Sequence, residues 1–386
     1  MAIKAQPRKL SKLHLHSQRV ILDNQQPGGG YLACPTMPDY QFSWFRDGAF
    51  IAYALTLDGI ENMVPHPVGL SGQWDSALKF HQWSARIIND RAESLERTIN
   101  RAALGQPLVL TDTLNARYQD EGAVGPEDWP EFQLDGPGLW VWSLAKYIRV
   151  CRIHPLPVAW VSAVDLVARY LMAVWRSACY DCWEERGDDV HISTLAAIYA
   201  GLGAAARLVP ALDVEATRAE IRAFIFQQGL TPGGELAKSV GLDMVDANLL
   251  LAALPDDGLL TPDDPLMLRT VARIERDLLA EGHGVHRHIA DTYYGGGAWV
   301  LLGLWLAWYK TQTGDFAFAR KLVAWAESHA DAEGNLPEQV NDVMFDPTYY
   351  AGWVKLRGEI ANPLLWTHAK YMIVQHALRG GMYPRD

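Results

Sequence analysis

Apolar positions three and four apart recur along most of the chain, and clear strand alternation is scarce. From His191 to Leu208 the stripe runs through Ile192, Leu195, Tyr199, Leu202 and Ala206, which predicts an amphipathic helix. Val158 to Trp175 repeats it through Val161, Val164, Ala168, Leu171 and Trp175. Ala298 to Tyr309 is apolar nearly all round, as in a helix buried on most sides. About twelve such segments can be read, beginning near residues 46, 70, 91, 136, 157, 190, 211, 243, 265, 296, 315 and 363. Residues 1–44 read differently, as irregular or extended chain carrying Pro27-Gly28-Gly29-Gly30, Cys34-Pro35 and Pro38. The loops between helices are long and rich in Gly, Pro, Asp and Trp, and no linker-like run divides the chain. The pattern predicts one all-α domain over residues 1–386.

Composition narrows the partners. Hydrophobic residues make up 49% and charged residues 20% of 386 positions, enough to fill a large core and too apolar for a disordered chain. The net charge is −11 and no basic block offsets it, so neither nucleic acid nor an anionic membrane is an expected partner. The first residues, Met1-Ala2-Ile3-Lys4-Ala5, lack a signal-peptide pattern, and the most apolar stretch, Trp299 to Trp308, is too short to cross a bilayer. Cys34, Cys151, Cys179 and Cys182 are then expected as free buried thiols in a cytoplasmic protein. The 15 Trp and 15 Tyr exceed what a core needs, and flat apolar faces suit sugar rings.

Two motifs are set aside. Gly201-Leu202-Gly203-Ala204-Ala205-Ala206 fits a loose dinucleotide pattern, but a helical stripe runs through it where a strand should precede it. Cys179-Tyr180-Asp181-Cys182 and His286-Arg287-His288 lack further ligands at metal-binding spacing. Neither a cofactor nor a metal is expected. The carboxylates are more informative. Glu184 and Glu185 follow Trp183 in one loop, and Glu338 follows Leu336-Pro337 in another. Apolar neighbours can raise a carboxyl pKa, and glycoside hydrolysis requires two carboxylates, one to protonate the leaving oxygen and one to activate water or attack. Solvated loop charges are the competing reading, which the spacing does not decide.

Five segments, in order, resemble glycoside hydrolase family fifteen, the glucoamylases and glucodextranases. Asp39-Tyr40-Gln41-Phe42-Ser43-Trp44-Phe45-Arg46-Asp47, after Gly30-Tyr31-Leu32-Ala33, is similar to the family's DYxYxWxRD element. Trp129-Pro130-Glu131-Phe132-Gln133-Leu134-Asp135-Gly136-Pro137 resembles its WxxxQxDGP loop, and Trp183-Glu184-Glu185 its general-acid WEE. Arg287 to Trp299, with Asp291-Thr292-Tyr293-Tyr294-Gly295 inside it, resembles RxxxDTYYxGxxW. Leu336-Pro337-Glu338-Gln339 matches the general-base loop and is followed by Pro363 to Ala369.

The resemblance implies an (α/α)₆ toroid with Glu184 as general acid and Glu338 as general base. It implies that Arg46 and Asp47 grip the far hydroxyls of a terminal glucose, enforcing exo action. Tyr40 and Trp44 would line the first sugar site. Trp129, Glu185 and Arg287 would surround the scissile bond, and Trp299 and Gln339 would complete the binding set. Phe42 departs from the family pattern, which has a second Tyr there. Burial near Trp183 and the charge of Glu185 are expected to make Glu184 titrate above Glu338. The length leaves no room for the β-sandwich or starch-binding domains of some relatives, which points to small oligosaccharides. The implied activity is an inverting exo-α-glucosidase favouring α-1,6-linked isomaltose and isomalto-oligosaccharides. Within the family the alternatives are α-1,4 maltosides or trehalose. A non-catalytic sugar-binding toroid would be favoured by loss of either carboxylate, and both are present.

Overall fold

The protein is described by a computed structural model over residues 10–61, 72–126 and 128–380. Its helices are α1 (Lys12–Asp23), α2 (Phe45–Glu61), α3 (Gly72–Asn89), α4 (Ala92–Ala103), α5 (Asp135–Cys151), α6 (Val158–Val174) and α7 (Ile192–Leu208). They continue with α8 (Glu215–Gln228), α9 (Pro265–Leu278), α10 (Val300–Gln312), α11 (Phe316–Ser328), α12 (Tyr350–Arg357) and α13 (Leu365–Leu378). A 3-10 segment, Ala247–Ala253, takes the place of an α-helix between α8 and α9. Among the described residues no helix is long and apolar enough to cross a membrane.

The packing closes on itself. In sequence, α2 packs on α5, α5 on α7, α7 on the 3-10 segment, that segment on α10, α10 on α13, and α13 back on α2. Outside this ring α3 covers α2, α6 and α8 cover α7, α9 covers the 3-10 segment, α11 covers α10 and α1 covers α13. The result is an (α/α)₆ toroid. Inner helices have neighbours on every side, so α10 is buried continuously from Val300 to Tyr309. The Gly201 stretch serves the same end: a Cβ on Gly201 would lie 2.6 Å from Gly138 Cα, so the glycines let α7 approach α5 closely.

The N-terminal segment differs from the expectation. Lys12–Asp23 is a helix rather than irregular chain, capped by the Ser11 side chain accepting from the His14 N–H. Its inner face carries His14, Ser17 and Gln18 beside Ile21, so no apolar stripe marks it. His14 Nε2 meets Asp58 Oδ1 at 2.8 Å and Ser17 Oγ meets His368 Nδ1 at 2.9 Å, which gives both side chains a polar partner within the core. The short helix α12 was also not expected, and none of its residues is buried.

Two small antiparallel ladders stitch loops at one end of the toroid. In the first, β1 (Ser43–Trp44) pairs with β2 (Arg117–Tyr118). In the second, β3 (Gly297–Trp299) pairs with β4 (Gln339–Met344), setting Trp299 opposite Gln339. These loops lead into the N-termini of the inner helices, where the site lies.

Candidate active site

A pocket of about 260 Å³ opens at that end, lined by Tyr40, Trp44, Arg46, Asp47, Trp129, Glu184, Glu185, Arg287, Trp299 and Glu338 among others. Ten of the eleven residues expected at the site therefore share one cavity. Gln339 is the exception and does not line it. Glu338 turns into the pocket just ahead of β4, and Gln339, the first residue of that strand, is buried against Gly297.

The two central carboxyls have different surroundings. Glu184 Oε1 accepts from Trp129 Nε1 at 2.8 Å, Trp44 Nε1 at 3.1 Å and Gln133 Nε2 at 3.5 Å. Since those bonds only donate to Oε1, the acid form carries its proton on Oε2. Glu338 is held by its backbone: its N–H donates to Ala361 O at 2.9 Å, and its carbonyl accepts from Val300 N–H at 3.1 Å at the start of α10. Its Oε1 accepts from the Tyr40 hydroxyl at 3.2 Å, while Oε2 has no protein partner.

Burial raises both pKa values. For Glu184 the Arg46 charge and the three N–H donors oppose that rise. Glu338 is pushed up to about 8 by burial, which Arg287 and Tyr40 only partly offset and which Glu184 and Asp47 reinforce. Burial thus raises both carboxyls above the ordinary carboxylate range. Three N–H donors meet Glu184, and one O–H donor meets Glu338. The Tyr40 hydroxyl, itself kept protonated by burial beside Glu338, Tyr293 and Glu184, also meets the Tyr293 hydroxyl at 3.1 Å.

Glu185 plays a separate part. Burial works against its charge, but Arg287 at 3.0 Å, His288 at 2.9 Å and Lys238 at 3.7 Å hold it well below the usual carboxylate range. It stays ionised and fixes Arg287, whose Nε also donates to Asp291 at 2.7 Å. Arg46 is engaged more with the protein than expected. Its Nη1 donates to Gln133 Oε1 at 2.7 Å and to Asp135 Oδ2 at 3.0 Å, while Asp47 lies 3.7 Å from Nε. Burial raises Asp47 to about 7 against the pull of Arg46.

The four cysteines are free, with Cys179 and Cys182 both buried, and among the described residues no group of three or more His, Cys, Asp or Glu is placed to hold a metal ion. The sequence reading passed over Trp353 and Arg357, which α12 brings to the pocket wall. Arg357 Nη1 meets Asp39 Oδ2 at 2.6 Å, closing α12 onto the opposite rim.

The family model for glycosyl hydrolases family 15 matches residues 9–376. The chain belongs to that family. It is a glycoside hydrolase, with the glucoamylase-type toroid around its site. It is 36% identical over 384 residues to the isomaltose glucohydrolase of Kribbella flavida, covering 97% of this chain and 94% of that one. A solved glycosidase at 35% identity superposes with a TM-score of 0.86 over 95% of this hydrolase and 96% of its own chain. The glucoamylase of Saccharomycopsis fibuligera, at 15% identity, shares the fold with a TM-score of 0.71 over 96% and 94%.

Proposed function

We propose that this family-15 hydrolase removes β-glucose from the non-reducing end of short α-gluco-oligosaccharides, with α-1,6-linked isomaltose and isomalto-oligosaccharides preferred. Glu184, protonated on Oε2, gives its proton to the glycosidic oxygen as that bond breaks. Glu338, through Oε2, takes a proton from a water that attacks the anomeric carbon from the opposite face. Configuration at that carbon inverts, and Glu184 is left ionised until a proton returns from solvent.

The observation that carries this reading is the pairing of two buried carboxyls on one pocket, one hemmed by donors on a single oxygen and the other with a free oxygen. Arg46, Asp47 and Trp366 line the pocket together with both carboxyls, and a pocket closed by them would enforce exo action. The preference for isomaltose follows the relative of that name, which matches over nearly its whole length. Of the two expected clamp residues, Asp47 is the freer to accept sugar hydroxyls. The site needs no cofactor for this chemistry. Initial rates of glucose release from isomaltose, panose, maltose and trehalose test the linkage, and isomaltose should be cleaved fastest. A preference for maltose or trehalose would replace the proposed substrate and leave the acid–base assignment standing.

A further inference from the structure

Glu184 sits in the left-handed region of backbone space at φ 67°, and Arg186 follows at φ 55°. Residues with a Cβ are strained there, so the loop requires restraint from outside itself. Asp181 supplies it for the backbone. Its Oδ1 accepts from the N–H groups of Trp183 and Glu185, both at 3.0 Å, and its carbonyl accepts from the Glu184 N–H at 3.0 Å. Three successive amides end on one residue. Asp246 supplies it for the side chain: its carboxylate accepts from Trp183 Nε1 at 2.9 and 3.0 Å.

Lys238 joins the two. Its Nζ lies 2.7 Å from Asp181 Oδ2 and 2.7 Å from Asp246 Oδ2. All three side chains are within 1% of full burial, and Lys238 does not line the pocket. Its own backbone is fixed to the helix that follows the loop, since its carbonyl accepts from Ile192 N–H at 3.2 Å and its N–H donates to Met244 O at 2.7 Å.

We propose that Lys238 is a positioning residue for the acid, holding Glu184 in its strained conformation by neutralising the two carboxylates that grip Trp183. This rests on the reading of Glu184 as general acid. Without the ammonium, two carboxylates would share a dry site and could not both stay ionised. One would take up a proton on the oxygen that Lys238 had contacted, and its other oxygen would then be a neutral, weaker acceptor for the N–H groups of the loop. The turn at Glu184 would then relax, and its Oε2 would leave the line to the glycosidic oxygen. Glu338 would be untouched, and Glu185, 3.7 Å from Lys238, would keep Arg287 and His288 as its closer partners.

The experiment compares isomaltose, whose leaving group needs a proton, with α-glucosyl fluoride, whose leaving group does not. Lys238→Met should lower kcat on isomaltose by about 10²-fold and on α-glucosyl fluoride by less than about threefold, with both KM values near those of wild type. Should Lys238→Met not fold, Asp181→Asn, which removes one charge of the cluster but keeps an acceptor, is read by the same ratio. Equal losses on the two substrates, or no loss in a folded variant, would overturn the proposal. Two controls separate it from the reading beneath it. Wild type inactive on both substrates would refute the glucosidase itself, and Glu184→Gln without selective retention of fluoride hydrolysis would refute the acid assignment.

Discussion

The Tyr40 hydroxyl donates to Glu338 Oε1 at 3.2 Å, from a helical turn preceding α2 to a loop preceding β4. Because Tyr40 has a single proton and spends it on Glu338, the Tyr293 hydroxyl at 3.1 Å must donate to Tyr40. The base is therefore the end of a short chain of hydroxyls. It has one oxygen held by that chain and the other available to water.

Removing the donor should impair the base. Tyr40→Phe leaves the ionised form of Glu338 without its hydrogen bond, and a bond to a charged group is worth about 1.5–3 kcal/mol. Turnover should fall by about 10- to 100-fold, with the ascending limb of the pH profile moved to higher pH. Steady-state kinetics across pH check both. An unmoved limb would show that Tyr40 does not tune Glu338.

The acid also tunes the base. The Glu184 charge helps to raise Glu338, so Glu184→Gln should let Glu338 ionise at lower pH. The variant should lose about 10²–10⁴-fold on isomaltose. Its remaining activity on α-glucosyl fluoride should have an ascending limb displaced to acid. A displacement to alkaline pH would contradict the like-charge coupling.

Stability should show the cost of keeping Glu338 buried. Its pKa is about 8 in the fold against an ordinary value of 4.5. A group raised on folding contributes fully below its unfolded pKa and loses that contribution as pH rises through the folded one. Gln at this position has no such dependence. The Tm of Glu338→Gln relative to wild type should therefore climb from about pH 5 to about pH 8 and then level off. Thermal unfolding across that range measures it, and a flat difference would show that Glu338 is not raised.

Arg46 has two acidic neighbours with different expected roles. Asp135 is buried against it at 3.0 Å, so Asp135→Asn should destabilise the fold by about 3–5 kcal/mol as a broken buried pair. Asp47→Asn should leave the Tm close to wild type and lower kcat/KM by about tenfold or more, as a lost contact to sugar. Unfolding and kinetics on both variants separate the roles, and a large Tm loss in Asp47→Asn would make it structural.

The sequence carried α2 to α11, α13 and the 3-10 segment Ala247–Ala253, because helices packed on either side of a toroid need apolar faces. It did not reveal α1, whose buried face is His14, Ser17 and Gln18, since polar groups satisfied inside the core mimic a solvated surface. Helix α12 buries none of its residues and left no stripe to read. Among site residues, those bound to a distinctive local motif were legible. Gln339 shared such a motif but turns the other way, because register on a strand decides its face. Lys238 reaches Asp181 across 57 positions, and nothing in either neighbourhood announces that the fold joins them.

The central claim is an inverting displacement between Glu184 and Glu338. Proton NMR of the anomeric region during the first minutes of isomaltose hydrolysis tests it directly, before mutarotation mixes the anomers. The β-anomer of glucose should appear first from the non-reducing unit, with the α-anomer growing only at the mutarotation rate. Initial appearance of the α-anomer would mean retention through a covalent intermediate, and Glu338 would not be the base.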